Sequence, residues 1–445
     1  MNSILVKMED SQSRRKEWPV TLRALRHHNF RLYFCGQMIS LIGTWMEPVA
    51  ASWLVYRLTG SSLMLGTVAF ASQLPTFLLA PLGGVVADRY DRRSILIVTQ
   101  FLTMIFTLIL AGLTLTHVVQ VWPVILLVAL VGVVNAFDIP THQAFTLDMV
   151  SREDLVNAIA LNSSIFNGAR MIGPALGGVL VAKVGEGWCF FANGLSFLAV
   201  IAGLLLMTAP QSRPPLQGSR NTIEGFRFVT RTAPVRALML LLGLISFIAT
   251  PCVVLMPVFA DQVLHGGARG LGLLMGAPGV GALCGAIMLA TRKSVSGLPG
   301  WIAVACNCFG VALVLFSLSR SFWLSMALLV FAGFSVTLEM ASSNTLIQSM
   351  VPDHLRGRVM SLYSTVFMGM VPLSALVAGS FAHAIGAPAT VALAGGISII
   401  GGIVFATRLP VLRPATRELL AVQEMSVAPA QEITTPVFSG QREAG

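Results

Sequence analysis

Twelve long apolar stretches divide the chain and constrain its fold more than any other feature. A helix that crosses a bilayer needs about 20 mostly apolar residues, because hydrocarbon offers no water to satisfy its backbone hydrogen bonds. The sequence therefore predicts an all-α membrane protein with twelve spans. They are numbered in chain order and cover residues 33–57, 62–87, 94–116, 121–148, 156–182, 187–209, 235–260, 268–291, 297–318, 322–349, 358–382 and 388–408.

The composition excludes the common soluble classes of protein. Hydrophobic residues make up 55% of the 445 residues and charged residues only 11%, whereas a soluble globular protein carries about 25% charged residues. All six cysteines fall within apolar stretches, so we expect small buried hydrophobic residues and neither a disulfide framework nor a metal site. A soluble enzyme, a disordered regulator and a secreted disulfide scaffold are thereby excluded.

Positive charge is distributed unequally between the two sides of the predicted spans. With the amino terminus assigned to the cytoplasm, the inside segments carry 24 Lys and Arg residues, the outside loops carry 4, and Arg170 lies within a span. The positive-inside rule therefore predicts that both termini are cytoplasmic. The net charge of +10 requires no nucleic-acid partner, because basic inside loops are explained by topology and anionic lipid headgroups.

The two halves of the sequence resemble each other at an offset of 201 residues. QAFTLDMV (143–150) aligns with NTLIQSMV (344–351), and Gly132 meets Gly333. An even number of spans separates the matched positions, so the repeat is parallel and predicts two six-helix bundles. Chance similarity between apolar helices is the alternative, which the shared offset disfavours. The predicted organisation is a cytoplasmic N-terminal segment (1–32), bundles over 33–209 and 235–410, a cytoplasmic central loop (210–234) and a disordered cytoplasmic tail (411–445).

Several motifs resemble those of the major facilitator superfamily. GVVADRYDRR (84–93), after span 2, is similar to its pattern G-x-x-x-D-R-x-G-R-R, with Asp91 in place of a glycine, and GPALGG (173–178) is similar to its antiporter motif. WLVYRLTGSSLMLG (53–66) and PDHLRGRVMSLY (352–363) resemble the branch of enterobactin-type siderophore exporters and drug:proton antiporters. The resemblance implies the twelve-helix major facilitator fold, alternating access, and a multi-pass location in the bacterial inner (plasma) membrane.

Four charged residues lie well inside the predicted spans, and each is a functional candidate because a charge in hydrocarbon is costly. They are Glu47, Asp138, Arg170 and Glu339. Asp138 and Glu339 differ by 201, the repeat offset. Since the resemblance implies that spans 1, 4, 7 and 10 line the cavity, we expect both acids to face it. Asp138, Glu339 or Glu47 is predicted to carry the coupling proton, and an ion pair with Arg170 is the alternative role for Glu47.

Polar residues at helical spacing predict a wet face on spans 1, 4, 5 and 10. The substrate-cavity candidates on these faces are Gln37, Thr44, Asn135, His142, Asn167, Arg170 and Ser335. Hydrogen bonding between helices is the competing explanation, and it is the one we favour for the serines and threonines taken alone.

The resemblance assigns the loop after span 2 to an inner gate. It implies that Asp88 caps a helix or pairs across to the opposite half, and that the loop arginines lock the gate. A solvated basic loop is the plain alternative. Asp148, at the inner end of span 4, is placed to pair with one of these arginines. The gate candidates are Gly84, Asp88, Arg89, Arg92, Arg93 and Asp148.

The motif in span 5 has a different expected role, in the packing of helices. Small residues let membrane helices approach closely, and a proline bends a helix. Gly173, Gly177 and Gly178 are therefore expected to permit close approach, and Pro174 to bend span 5 at the interface between the halves.

The predicted function is secondary active transport. The sequence has no G-x-x-x-x-G-K-[ST] motif for ATP, no spacing typical of a metal site and no catalytic constellation, so neither an enzyme nor a cofactor is predicted. We predict a monomeric, proton-coupled exporter of an amphipathic small molecule, a drug or a siderophore, whose partners are the substrate, protons and the lipid bilayer. An importer or lipid flippase of the same fold, or a non-transporting membrane sensor that kept the fold, is the alternative.

Overall fold

Twelve long helices, joined by short connections, make up the computed structural model, which describes residues 20–151, 153–208, 222–292 and 297–427. Each is long and apolar enough to cross a membrane, which confirms the predicted count, and the described residues form no strand. The helices are α1 (His28–Thr59), α2 (Ser62–Arg89), α3 (Arg92–Leu115), α4 (Val121–Met149), α5 (Leu155–Val184), α6 (Glu186–Leu206), α7 (Ala233–Val254), α8 (Gly267–Ala290), α9 (Leu298–Leu318), α10 (Phe322–Met350), α11 (Asp353–Ile385) and α12 (Ala387–Val427).

Shorter elements lie outside these twelve helices. A 3₁₀-helix (Val20–Arg26) precedes α1, a helix (Thr222–Arg231) precedes α7, and a π-helical turn (Phe259–Val263) continues the far end of α7. The predicted terminal segment and central loop lie in part outside the described residues, at positions 1–19 and 209–221.

Local chemistry explains where several helices begin and turn. The Asp91 carboxylate accepts hydrogen bonds from the backbone N–H of Ser94 at 2.8 Å and from its hydroxyl at 2.6 Å, so it is the N-cap of α3. This accounts for an aspartate where the superfamily pattern has glycine. Gly185 and Gly386 form the tight joints before α6 and α12 with φ of 93° and 86°, a backbone region that favours glycine.

The packing of each half repeats at the offset found in the sequence. Gly185 and Gly386 are 201 residues apart, and so are Gly132 and Gly333. α2 packs on α4 and α8 packs on α10, and each contact is a close backbone approach. A Cβ on Gly132 would lie 2.3 Å from the carbonyl oxygen of Ser72, and a Cβ on Gly333 would lie 2.1 Å from that of Pro278. The described chain is therefore built from two equivalent sets of six helices.

The two halves contact each other mainly through α2 with α11 and through α5 with α8. We call the end of the bundle that carries residues 20 and 427 the terminal side, and the other end the far side. The close contacts lie toward the far side, where Gly66 packs against Gly379 and Gly178 against Gly272. Among the described residues of the terminal side, no ion pair joins the halves. The bundle is thus joined on the far side.

The last helix extends beyond the predicted span 12. α12 continues through Pro410 and Pro414 to Val427, whereas the sequence analysis predicts disorder from residue 411. Residues 415–424 (ATRELLAVQE) are mostly strong helix formers, and Leu419 and Leu420 pack against the apolar core. The prediction of a disordered tail is therefore wrong for 411–427, and residues 428–445 lie outside the described part of the chain.

Candidate transport site

Asp138, on α4, is the centre of a hydrogen-bonded cluster inside the N-terminal half. Its Oδ1 accepts hydrogen bonds from the Thr99 hydroxyl at 2.5 Å and from the Gln100 amide at 3.0 Å, both on α3. Its Oδ2 lies 3.3 Å from Nε2 of His142, one turn further along α4. The carboxyl side chain is 14% exposed, so the acid is turned toward its own bundle and retains a small accessible surface.

His142 connects this acid to α1. Its Nδ1 lies 2.6 Å from the Tyr33 hydroxyl, and its Nε2 lies 3.2 Å from the side-chain amide nitrogen of Gln37. An imidazole accepts a proton at one nitrogen and donates one at the other. Tyr33, His142 and Asp138 therefore form a chain of close polar contacts that joins α1 to α4. We call this chain, with Gln37, Thr99 and Gln100, the Asp138 cluster.

Glu339 on α10 is the repeat-related counterpart, in a drier setting. Ser343, which is 201 residues after His142, donates a hydrogen bond from its hydroxyl to Glu339 Oε1 at 3.0 Å. Glu339 is 0% exposed, and its Oε2, like the hydroxyl of Ser335 on the same helix face, has no partner among the described residues. Both side chains are buried within the C-terminal half, so Glu339 and Ser335 differ from the expectation that they face a cavity.

Glu47 and Arg170 do not form the ion pair that the sequence analysis considers. The Glu47 carboxylate accepts a hydrogen bond from Asn193, which is fully buried on α6. Arg170 on α5 instead places its guanidinium 5.8 Å from the centre of the Trp45 ring. The predicted ion pair does not form because α5 and α6 flank α1 separately, and the side-chain amide of Asn193 satisfies the Glu47 carboxylate.

The other cavity candidates are distributed over the same helices. Thr44 is exposed on α1 and Asn135 is half-buried one turn before Asp138. The Asn167 side-chain amide donates a hydrogen bond to the Ser163 carbonyl of its own helix at 2.8 Å. Of the seven candidates, Gln37 and His142 are the pair that a hydrogen bond joins.

The gate motif makes its contacts within the N-terminal half. Arg92 lies 2.8 Å from Asp148 and 3.6 Å from Asp88. Arg93 donates hydrogen bonds to the carbonyl oxygens of Leu204 and Leu205 at the end of α6. Asp148 therefore meets an arginine of the loop, whereas the Asp88 side chain is 61% exposed and does not reach the opposite half. The halves are apart at this end, which explains the difference.

The remaining gate residues carry little packing. Arg89 is exposed, and a Cβ on Gly84 would meet nothing within 4 Å. Neither residue contributes a contact that closes the terminal side in this conformation.

The glycines of the α5 motif serve two interfaces. Cβ atoms on Gly173 and Gly177 would meet Trp45 and Met46 of α1, in the same half. A Cβ on Gly178 would lie 2.7 Å from Gly272 Cα on α8, in the other half. Pro174 is buried between these contacts. The motif therefore joins α5 to its own bundle and to the opposite bundle.

An ionic cluster outside the membrane-spanning helices, which we call the clasp, consists of Asp154, Arg23, Arg26 and His27. Asp154, fully buried before α5, lies 3.0 Å from Arg23, 2.8 Å from Arg26 and 2.7 Å from His27. Burial alone raises the pKa of the Asp154 carboxyl, but the hydrogen bond from His27 and the charges of Arg26 and Arg23 outweigh it and hold the pKa below its usual value. The 3₁₀-helix Val20–Arg26 is thereby fixed to the start of α5.

Several residues of the site were missed from the sequence. Thr99 and Gln100 on α3 contact Asp138, Tyr33 on α1 contacts His142, and Asn193 on α6 contacts Glu47. A signal existed for α3, where Thr99, Thr103 and Thr107 recur every four residues and mark one polar helix face. Among the described residues, no group of three or more His, Cys, Asp or Glu side chains could hold a metal ion.

Comparison with known proteins identifies the family. The model of the transmembrane secretion effector family, of the major facilitator type, matches residues 20–436. The chain belongs to this family. It is 24% identical over 384 residues to the staphyloferrin A transporter of Staphylococcus aureus (strain NCTC 8325 / PS 47), covering 84% of this chain and 95% of that protein. It is 27% identical over 361 residues to the enterobactin exporter EntS of Escherichia coli O157:H7, covering 79% of this chain and 84% of the exporter.

Solved structures support the fold. The crystal structure of a bacterial homologue of the human lysosomal transporter Spinster, in an inward-facing and unoccupied conformation, superposes with a TM-score of 0.64 at 16% identity, covering 91% of this chain and 98% of that one. The family and the relatives together establish that the chain is a multi-pass membrane transporter of the major facilitator fold. The family and its relatives are transporters and not enzymes.

Proposed function

We propose that the protein is a monomeric, proton-coupled exporter of an amphipathic small molecule of the siderophore or drug class. The proposal includes cytoplasmic termini in a bacterial cell, and the excess of Lys and Arg on the terminal side supports this orientation. The names of the relatives favour siderophores, and the enterobactin exporter favours the outward direction.

The Asp138 cluster carries the proposal of proton coupling. A coupling group has to take up a proton in one conformation and release it in another, and to reach water through a polar path. Asp138 has a small accessible surface, and its carboxylate lies 3.3 Å from His142, which is hydrogen-bonded to Tyr33. Glu339 has neither an accessible surface nor a partner on its second oxygen. Asp138 is therefore the first candidate for the coupling acid, ahead of Glu339 and Glu47.

The proposed cycle follows from this geometry. With the terminal side facing the cytoplasm, the structure corresponds to the conformation that loads substrate from inside the cell. Substrate enters between the halves as Asp138 releases its proton to the cytoplasm. The far-side contacts then open, the terminal side closes, substrate leaves and Asp138 is protonated from outside. The proton gradient thereby drives export, because each conformation binds either the substrate or the proton and not both.

Transport in liposomes tests the proposal. Purified protein is reconstituted, an acid-inside gradient is imposed, and uptake of enterobactin, staphyloferrin A and ethidium is followed separately. We expect gradient-dependent accumulation of at least one of them by inside-out molecules, and its loss in Asp138→Asn with downhill exchange retained. The control variant is Glu153→Gln, because the Glu153 side chain is 77% exposed on the terminal side.

The result also separates the alternatives. Accumulation that proceeds equally without a proton gradient, or uphill transport unchanged in Asp138→Asn, would contradict the proposal. Accumulation only when substrate and protons move in the same direction would instead identify an importer.

A further inference from the structure

Arg170, in the middle of α5, has no charged partner among the described residues. Arg170 is the sixteenth of the 30 residues of α5, about 22 Å along the helix at 1.5 Å per residue. Among the described residues, its side chain makes no hydrogen bond and no ion pair within 4.0 Å, and its guanidinium lies against the Trp45 ring. The middle of the helix is too far from either end for the side chain to reach a headgroup layer.

The three other charges of the spans are each held by a neighbour. Glu47 has Asn193, Asp138 has Thr99 and Gln100, and Glu339 has Ser343. A charge at this depth is costly unless it is paired or wetted. Arg170 is half-buried, so part of its surface remains accessible.

Aromatic rings line the same position. The rings of Trp45 on α1 and Phe166 on α5 meet edge to face with centroids 5.5 Å apart. Phe166 is 46% exposed and lies one turn before Arg170. The next residue, Met171, packs on α8, where its backbone meets Gly276 and Gly279 of the other half. The cation and its rings thus lie beside the seam between halves, near mid-depth, where transporters of this architecture hold substrate.

We propose that Arg170, Trp45 and Phe166 bind an anionic, aromatic group of the cargo. A guanidinium offers a planar fork of N–H donors to a carboxylate or a phenolate, and the exposed ring supplies an edge or face for an aromatic group. The inference rests on the proposed transport function and defines its substrate class: amphipathic anions that carry an aromatic ring. Neutral and cationic compounds lack the charge that Arg170 requires.

Binding of three matched probes tests this assignment without any gradient. The probes are 2-naphthoate, which has charge and ring, 2-naphthamide, which has the ring alone, and decalin-2-carboxylate, which has the charge alone. Affinities for purified protein in detergent are measured by equilibrium dialysis. We expect 2-naphthoate to bind about tenfold more tightly than 2-naphthamide, the difference expected for hydrogen bonds to a charged group. Its advantage over decalin-2-carboxylate is expected to be about threefold, from aromatic contact.

Variants assign the preference to the side chains. Arg170→Gln is expected to remove the preference for 2-naphthoate over 2-naphthamide, and Arg170→Lys to retain part of it. Trp45→Leu is expected to remove the preference over decalin-2-carboxylate. Arg320→Gln and Trp122→Leu are the controls, since Arg320 is exposed on the far side and Trp122 is 73% exposed.

Each outcome decides the proposal. Absence of 2-naphthoate binding by the parent, or equal preference in the parent and Arg170→Gln, overturns it. If Arg170→Gln does not fold, a parent-like preference in Arg170→Lys supports a cation-dependent site, and equal binding of the three probes by Arg170→Lys overturns it. Because no proton gradient is used, loss of coupling in liposomes leaves this result unchanged, and the two failures are distinguishable.

Discussion

The contact between Gly178 and Gly272 gives the sharpest prediction about the movement of the two halves. These residues bring α5 and α8 together near the far side, with one backbone against the other. Alternating access requires this contact to open when the substrate leaves. Gly178→Ala adds one methyl group at the seam, and we expect it to disfavour the conformation that is closed on the far side.

The structure sets the size of the effect. The added Cβ would lie 2.7 Å from Gly272 Cα and 2.8 Å from the Ala268 carbonyl oxygen, whereas non-bonded carbon atoms prefer about 3.5–4.0 Å. The two helices must therefore separate by about 1 Å. Overpacking of this kind costs about 1–3 kcal/mol, which shifts the ratio of closed to open molecules by roughly 5- to 150-fold.

Distances between spin labels measure this shift. Labels at Gln120 and Arg320, exposed on the far side of each half, are introduced after the exposed Cys35 and Cys284 are replaced by serine. We expect Gly178→Ala to populate longer distances than the parent.

The matched control lies on the same helix. Gly168→Ala adds a Cβ that would meet nothing within 4 Å, and we expect it to leave the distance distribution unchanged. Distributions that are identical for the parent and Gly178→Ala, or that lengthen equally in both variants, would refute the argument.

Two further substitutions test the clasp and the buried amide. Asp154→Asn removes the carboxylate that holds Val20–Arg26, so we expect faster hydrogen–deuterium exchange there. Since the pKa of this carboxyl is held below its ordinary value, its stabilising contribution is present above about pH 4 and is lost as the pH falls through the folded-state pKa. Hydrogen–deuterium exchange that is equal in parent and variant at neutral pH would contradict the role given to Asp154. Asn193→Ala leaves Glu47 buried without its hydrogen-bond donor and is expected to lower the free energy of unfolding by about 1–3 kcal/mol, measured as a lower melting temperature in detergent. The control Asn167→Ala is expected to change the melting temperature little. Equal losses in both variants would contradict the assignment.

The sequence predicted the helices well because each has to satisfy its own backbone within hydrocarbon. All twelve spans, the all-α class and the superfamily follow from apolar length and short motifs. The repeat offset also located structural equivalents, since Asp138 and Glu339 each have a partner one turn later, His142 and Ser343.

Side-chain partners were harder to predict, because they depend on which helices are neighbours. Periodicity places Glu47 and Arg170 at similar depth, but it does not show that Asn193 on α6 lies closer to the carboxylate. It gives Asp138 and Glu339 equivalent positions, but it does not show that the Asp138 side chain keeps a 14% exposed surface whereas Glu339 is fully buried. Polar composition predicts disorder after residue 410. The structure instead continues the helix to Val427, and Leu419 and Leu420 contact the apolar core.

Proton release on binding is the most direct test of coupling through Asp138. Purified protein in weakly buffered solutions at a series of pH values from about 5 to about 8, with pH-indicator dyes, is mixed with saturating 2-naphthoate. If substrate and proton exclude each other at this acid, the parent releases protons on binding within this series, up to about one per bound molecule, and Asp138→Asn binds the probe and releases none. Binding by the parent with no proton released, or equal release from Asp138→Asn, would contradict the account.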